Sequence, residues 1–229
     1  MEAHSQLAID TSSGSTVVLG SRRAVSPDPR AHAEQLGVLL AEVLEGAPVP
    51  EAVVVGTGPA PFTGLRAGIV TASAFAFARG LPLHGVPSLD AIARAVLDDD
   101  AAGTVTVVTD ARRREVYAAS YRANGADDVV RLGEFYVGPP SGLEVPEGAV
   151  LAGPGTQLYP EELSGTNAAV DPGVLARIAC ARAAAGIAQP ATPLYLRRPD
   201  AKVPAGRARV TTPAPGSVER RGTRHGTSA

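Results

Sequence analysis

The stretch that decides the fold is Val53-Val54-Val55-Gly56-Thr57-Gly58-Pro59-Ala60-Pro61-Phe62-Thr63-Gly64-Leu65-Arg66-Ala67-Gly68. A β-branched run of this kind reads as a buried strand. It feeds a loop of Gly and Pro. The loop opens onto a helix rich in small residues, predicted over 63–79, which stops at Gly80-Leu81-Pro82. Strand, loop and helix in that order are one α/β unit, and neighbouring segments extend it. Strands are predicted at 7–11 and 16–20, joined by Ser12-Ser13-Gly14-Ser15, which has hairpin chemistry. A polar loop with Pro27 and Pro29 follows, then a helix over 30–45. Its apolar positions Leu36, Leu39, Leu40, Val43 and Leu44 form one stripe at i, i+3, i+4, i+7 and i+8.

A strand at 83–86 leads to a helix at 88–97, for which Ser88 is the expected N-cap. The character changes near Asp98-Asp99-Asp100. Strands are predicted at 104–109, at 115–121 and within 129–137, with a further apolar segment at 148–151. Gly153-Pro154-Gly155-Thr156 and a helix over 174–186 close the pattern. The chain thus reads as two units of similar element order, a lobe over 1–102 and a lobe over 103–199. Residues 200–229 carry Lys202, Arg207, Arg209, Arg220, Arg221 and Arg224 among Pro, Gly, Thr and Ala without an apolar period, and read as a disordered basic tail.

The totals narrow the function class. Hydrophobic residues make up 45% of the 229, aromatics 4%, and there is no Trp, so Ala, Val and Leu must build the core of a helix-rich α/β protein. A net charge of −2 gives the whole molecule no strong pull on nucleic acid or an anionic membrane. If RNA is the final target, a partner or a local patch must supply the positive field. No stretch approaches the roughly 20 apolar residues of a membrane span, and the first residues carry no basic and apolar leader. The lone Cys180 lies in an apolar run and reads as a small buried hydrophobe. These features point to a cytoplasmic protein without a membrane partner.

Chemistry is sparse. No two of His4, His32, His84 and His225 stand at i, i+4, the spacing that puts two imidazoles on one helical face, so no metal site is expected. Ser12 and Ser13 have no evident His and Asp partners, and no Gly-x-Ser-x-Gly elbow is present. Asp10-Thr11-Ser12-Ser13-Gly14 has the composition of a phosphate cradle, in which Asp10 orients Mg²⁺ and Thr11, Ser12 and Ser13 donate. Asp110, at the start of the second lobe, is its counterpart, although bulky Arg112 and Arg113 follow it. A polar hairpin without a ligand is the simpler account of both.

In order and spacing, several blocks resemble the TsaB (YeaZ) family. They are Ala8-Ile9-Asp10-Thr11-Ser12, His32-Ala33-Glu34-Gln35-Leu36, Gly58 through Gly68, Val86-Pro87-Ser88-Leu89, Asp110 through Tyr117, and Leu194-Tyr195-Leu196-Arg197. The resemblance covers roughly residues 7–199. It implies the two-lobe actin/sugar kinase/Hsp70 (ASKHA) fold, built from duplicated βββαβα units. It also implies a non-catalytic subunit that binds the catalytic subunit TsaD, with the ATPase TsaE joining, in the complex that adds threonylcarbamoyl to adenosine 37 of tRNA. On this reading the chain has no catalytic residue and no cofactor of its own, with ATP or ADP a candidate only at the complex interface. The chain meets tRNA through the complex and self-associates when isolated. The alternative is an autonomous ATP-binding phosphotransferase of the same superfamily.

The resemblance further implies that the two helices of the first lobe pair with their equivalents in TsaD. The residues expected at that interface and its support are Leu36, Leu39, Leu40, Val43, Leu65, Ile69, Ala72 and Ala76. Phe75 and Phe77 stand about 200° apart around the second helix. A helix apolar on more than one face is buried on more than one side.

Overall fold

A computed structural model describes residues 2–26, 28, 32–99 and 103–197, without the side chains of His32 and Ala33. The basic tail expected over 200–229 therefore lies outside the described residues. Two sheets carry the architecture. The first has the order β3-β2-β1-β4-β5, with β1 (Gln6–Asp10), β2 (Ser15–Leu19), β3 (Arg22–Ser26), β4 (Ala52–Gly56) and β5 (Leu83–Val86). β1 runs antiparallel to β2 and parallel to β4, which is parallel to β5. The second sheet repeats this order in shorter form as β8-β7-β6-β9. Its strands are β6 (Thr104–Arg112), β7 (Glu115–Asn124), β8 (Asp128–Gly138) and β9 (Val150–Ala152). Again an antiparallel meander is followed by a parallel strand, β6 with β9.

β3 replaces part of the expected polar loop. Only Ala24 and Ser26 are buried in Arg22-Arg23-Ala24-Val25-Ser26, so this edge strand carries a weak apolar signal. The helices match the periodicity more closely: α1 (His32–Leu44), α2 (Phe62–Arg79), α3 (Ser88–Asp99) and α5 (Pro172–Ala184), with a short α4 (Gly155–Leu158). α5 starts where Asp171 caps it, its carboxylate accepting the Gly173 N–H at 2.9 Å.

The central strands are buried on both faces, as parallel strands between helices must be. Leu7 and Ile9 of β1, with Val53 and Val55 of β4, face α1 and α2 in one core. Ala8 and Val54 face the other way into a second core with Leu89 and Ile92 of α3, Val105 and Val107 of β6, and Leu175 and Ile178 of α5. α5, late in the chain, packs on β1 and β4, whereas α3, from the first half, packs on β6 and β7. The two helices touch, so each sheet is covered by a helix supplied from the other half of the sequence.

A buried polar network closes this middle layer. Arg182 of α5 donates to Asp90 of α3 at 2.8 Å and to Asp128 of β8 at 2.9 Å. Burial pushes the Asp90 carboxyl above the usual range, and the Arg182 charge opposes that shift. The Tyr121 phenol, buried beside Asp90, is held well above its ordinary value by burial and by that carboxylate's charge.

Removing one member of such a pair strands the other in low dielectric, at a cost of about 3–5 kcal/mol. Arg182→Met is therefore expected to lose about that much in urea unfolding at pH 7. The sign of its pH dependence follows from Asp90. A folded carboxyl above its unfolded value of 3.8 binds protons that the unfolded chain has released, so stability falls as pH rises from the unfolded value through the folded one. The penalty of Arg182→Met should shrink as pH is lowered toward 4, and a pH-independent penalty contradicts this account.

Candidate functional site

The first hairpin, the signature loop and the second hairpin converge on a cleft of about 330 Å³. Thr11, Ser12 and Ser13 form one side. Pro59, Pro61, Thr63 and Gly64 form the floor, and Thr109, Asp110 and Arg112 face them. Of the five expected phosphate-site residues, four thus meet at one cavity. Asp10, the fifth, does not line it.

Asp10 is buried, and its carboxylate serves the chain itself. Oδ1 accepts the Ser12 N–H at 2.8 Å and the Ser12 hydroxyl at 2.6 Å, and Oδ2 accepts the Ser88 hydroxyl at 2.6 Å. The Ser88 oxygen in turn accepts the Gly58 N–H at 3.2 Å. Ser88 is therefore no N-cap, as expected from the sequence, but the first residue of α3. Its side chain turns back to the ends of β1 and β4, because a buried carboxylate there needs a donor. Thr11 is likewise spoken for: its hydroxyl donates to the Gly64 carbonyl at 2.9 Å.

Two glycines of the signature region explain its spacing. A Cβ on Gly56 would overlap the Asp10 carboxylate, and a Cβ on Gly68 would overlap the Thr11 side chain. Both positions let the first hairpin sit directly on β4 and α2. The Gly153-Pro154-Gly155-Thr156 segment is a turn into α4, and only its Pro154 lines the cleft.

The second hairpin differs from the first. Arg112, Arg113 and Arg114 all adopt left-handed φ, at 64°, 56° and 59°. Each non-glycine residue in that region costs about 1 kcal/mol. Asp110 supports the turn by accepting the Arg112 N–H at 2.7 Å and pairing with its guanidinium at 3.2 Å. Burial and the Asp110 charge raise the Tyr117 phenol above its usual value. The Thr109 hydroxyl is buried with no hydrogen-bond partner among the described residues. The cleft therefore offers hydroxyls and one guanidinium, a set able to hold a small polar anion.

A strap of chain not anticipated from the sequence frames this site. Gly85 donates to the Gln189 carbonyl, and Leu194 donates to the Thr57 carbonyl, both at 2.9 Å. Arg197 then donates to the Ala111 carbonyl and ion-pairs with Glu115. The strap thus runs from the signature loop to the second hairpin.

The residues expected at the helical interface and its support fall on the inner side of the two helices. Leu36, Leu39, Leu40, Val43, Leu65, Ile69, Ala72 and Ala76 all lie in the core between the helices and the first sheet. They face Leu7, Ile9, Val53 and Val55 because the sheet is the nearest apolar surface. Their place is beneath the helices, as support for whatever the outer faces do. The outer faces carry a different set: Val38 is 63% exposed on α1, and Val70 and Phe77 are 65% and 91% exposed on α2. Ala41, Ala74 and Ala78 are exposed beside them.

Among the described residues, no three His, Cys, Asp or Glu side chains are grouped as metal ligands, and no helix is long and apolar enough to cross a membrane. Cys180 is half-buried on α5, and burial raises its thiol above the ordinary value. That keeps it in the unreactive protonated form.

Comparison with known proteins agrees with this geometry. The family model described as TsaD, tRNA N6-adenosine threonylcarbamoyltransferase, matches residues 26–202. An uncharacterized protein of Mycobacterium tuberculosis is 42% identical over 196 residues, which span 81% of this chain and 83% of that protein. The tRNA threonylcarbamoyladenosine biosynthesis protein TsaB of Escherichia coli is 33% identical over 125 residues, 51% of this chain and 54% of that one. The solved structure of YeaZ from Pseudomonas aeruginosa superposes with a TM-score of 0.70 at 26% identity, over 82% of this chain and 99% of that chain. With the repeated sheet order and the shared middle layer, these likenesses identify the fold as the two-lobe ASKHA type.

The close approach at Asp10 is testable. Ser88→Ala removes one buried donor and is expected to cost about 1–3 kcal/mol. Gly56→Ala must displace the whole carboxylate and is expected to cost more, by urea unfolding. An equal or smaller loss for Gly56→Ala contradicts the packing described.

Proposed function

Because this chain belongs to the TsaB (YeaZ) family, we propose that it serves tRNA threonylcarbamoyladenosine biosynthesis as a non-catalytic subunit. In this reading it binds the catalytic subunit TsaD and holds it competent, while TsaE joins the assembly. One observation carries the reading: α2 has two apolar faces, and only one is used within the chain. Leu65, Ile69, Ala72 and Ala76 are buried against the first sheet. Val70, Ala74, Phe77 and Ala78 lie on the other side at i, i+4, i+7 and i+8, and are exposed, as are Val38 and Ala41 of α1. A phenylalanine 91% exposed in such a patch marks a protein interface. Burying it contributes about 1.5–3 kcal/mol to association.

The rival reading, an autonomous phosphotransferase, asks Asp10 to orient a metal–phosphate group. Both oxygens of that carboxylate already accept hydrogen bonds from the chain. The cleft hydroxyls that remain, on Ser13, Thr63 and Thr109, share the cavity with the Asp110 carboxylate, which is itself engaged by the Arg112 N–H and guanidinium.

The reading is tested by mixing the chain with its cognate TsaD and measuring co-elution and tRNA modification. Phe77→Asp is expected to abolish both while leaving thermal unfolding within about 0.5 kcal/mol of the parent. The same substitution should make any homodimer of the isolated chain monomeric. Ala72→Arg is expected to fail differently, by unfolding, because it buries an unpaired charge in the core. A stoichiometric complex that forms undiminished with Phe77→Asp contradicts the assigned face.

A further inference from the structure

The two sheets differ on their outer faces. The first is covered by α1 and α2. The second carries the four-residue α4 on β6 and β9, and Leu143, Tyr159 and Leu163 pack over Val108, Val116 and Ala118. Farther along the same face, Thr106 of β6 stands beside Ser120 of β7, which stands beside Leu132 of β8. A cavity of about 320 Å³ opens over these three residues and is bordered by Leu143, Glu144 and Val145.

Its groups are of three kinds. Leu132 and Val145 are apolar, and each is 37% exposed. Thr106 and Ser120 are more than nine-tenths buried and share one hydrogen bond of 2.8 Å. Two hydroxyls carry two donors, and one bond uses one of them. The second O–H has no acceptor among the described residues and is free to turn toward the cavity. Glu134 and Glu144, both exposed, add two carboxylates to the lining. Glu144 has no ion pair among the described residues. Arg131 comes no closer than 3.9 Å to Glu134, because the Gly133 carbonyl and the Phe135 ring hold its guanidinium. Residues 132–176 hold five Glu and one Asp without a Lys, Arg or His, so no cation of that segment offsets the pair. Arg122 of β7 does not line the cavity.

We propose that this cavity docks a cationic segment of a partner protein, an extended stretch in which a Lys or Arg has apolar neighbours. The aliphatic stem of that side chain packs on Leu132 and Val145, and its charge meets Glu134 and Glu144. A backbone carbonyl of the same segment accepts the free hydroxyl of the Thr106–Ser120 pair. A nucleic acid is repelled by the same carboxylates. A wholly apolar segment would desolvate the carboxylates and the hydroxyl without pairing them. This face is separate from the outer surface of α1 and α2, and the proposal goes beyond the TsaD-binding reading.

The test is fluorescence anisotropy of a fluorescein-labelled peptide of alternating Lys and Leu, titrated with the full-length chain over a salt series. The expected result is saturable binding that weakens with salt and falls about fivefold in the double variant Glu134→Gln, Glu144→Gln. The pair Glu161→Gln, Glu162→Gln, on the same acidic segment but outside the cavity, should keep the affinity within about twofold of the parent, which separates this cavity from general charge attraction. Thr106→Val with Ser120→Ala removes the hydroxyl donor and should weaken binding without altering the salt slope. Phe77→Asp should bind the peptide as the parent does, so failure here leaves the TsaD-binding reading standing. The proposal is overturned by absence of binding, by equal binding of a Glu–Leu peptide of the same length, or by equal losses in the two glutamine pairs. Self-association of the parent that Glu134→Gln, Glu144→Gln abolishes would put a second copy in the cavity and overturns it as well.

Discussion

The structure depends on one buried carboxylate. Asp10 ends β1 where the chain must turn, where β4 passes into its loop, and where α3 begins. Its oxygens accept from Ser12 and Ser88, and Gly56 leaves the room they need. A carboxylate so enclosed is stable only with donors on every side. The hairpin, the signature loop and the first turn of α3 therefore take up one mutual arrangement. These hydrogen bonds are internal to the chain, and they act as a structural rivet at this corner.

The second organising feature is exchange between the lobes. α3 belongs to the first half of the sequence and covers the second sheet, and α5 does the converse. The Arg182–Asp90–Asp128 network lies where they meet. α1 and α2 stand outside this exchange, on the far face of the first sheet. Their inner stripes complete the core, which leaves the outer stripe available to another molecule. Core packing and the exposed apolar stripe therefore lie on opposite sides of the same two helices.

Most of this was legible in the residues. The Val53–Val55 strand, the Leu36 to Val43 stripe and the Gly80 stop specify their elements through periodicity and backbone preference alone. β3 was hidden because an exposed edge strand has few apolar positions to alternate. The signature glycines were visible, but their reason was not, since it lies in Asp10 and Thr11, 46 and 57 positions away. Ser88 looked like a cap because capping is local, whereas its partner is 78 residues distant. Which of the expected helix residues face outward was hidden for a related reason. A helix apolar on two sides does not reveal which side meets its own sheet, and Leu65, Ile69 and Ala72 are the ones that do. The 189–197 strap has no periodicity at all, and its bonds to Gly85, Thr57 and Ala111 are made with backbone groups.

That strap, with α5, bears on how the polypeptide is made. The first sheet is complete once residue 86 has been synthesised, yet the helix that shields its second face is not encoded until 172–184, and the clasp to the second hairpin follows it. An emerging chain must carry a half-covered sheet from residue 86 until α5 begins at residue 172. Closure comes as a late, concerted event rather than lobe by lobe. Synthesis pauses before α5 would prolong that vulnerable interval, and a helper that shelters apolar strands would have its greatest effect there.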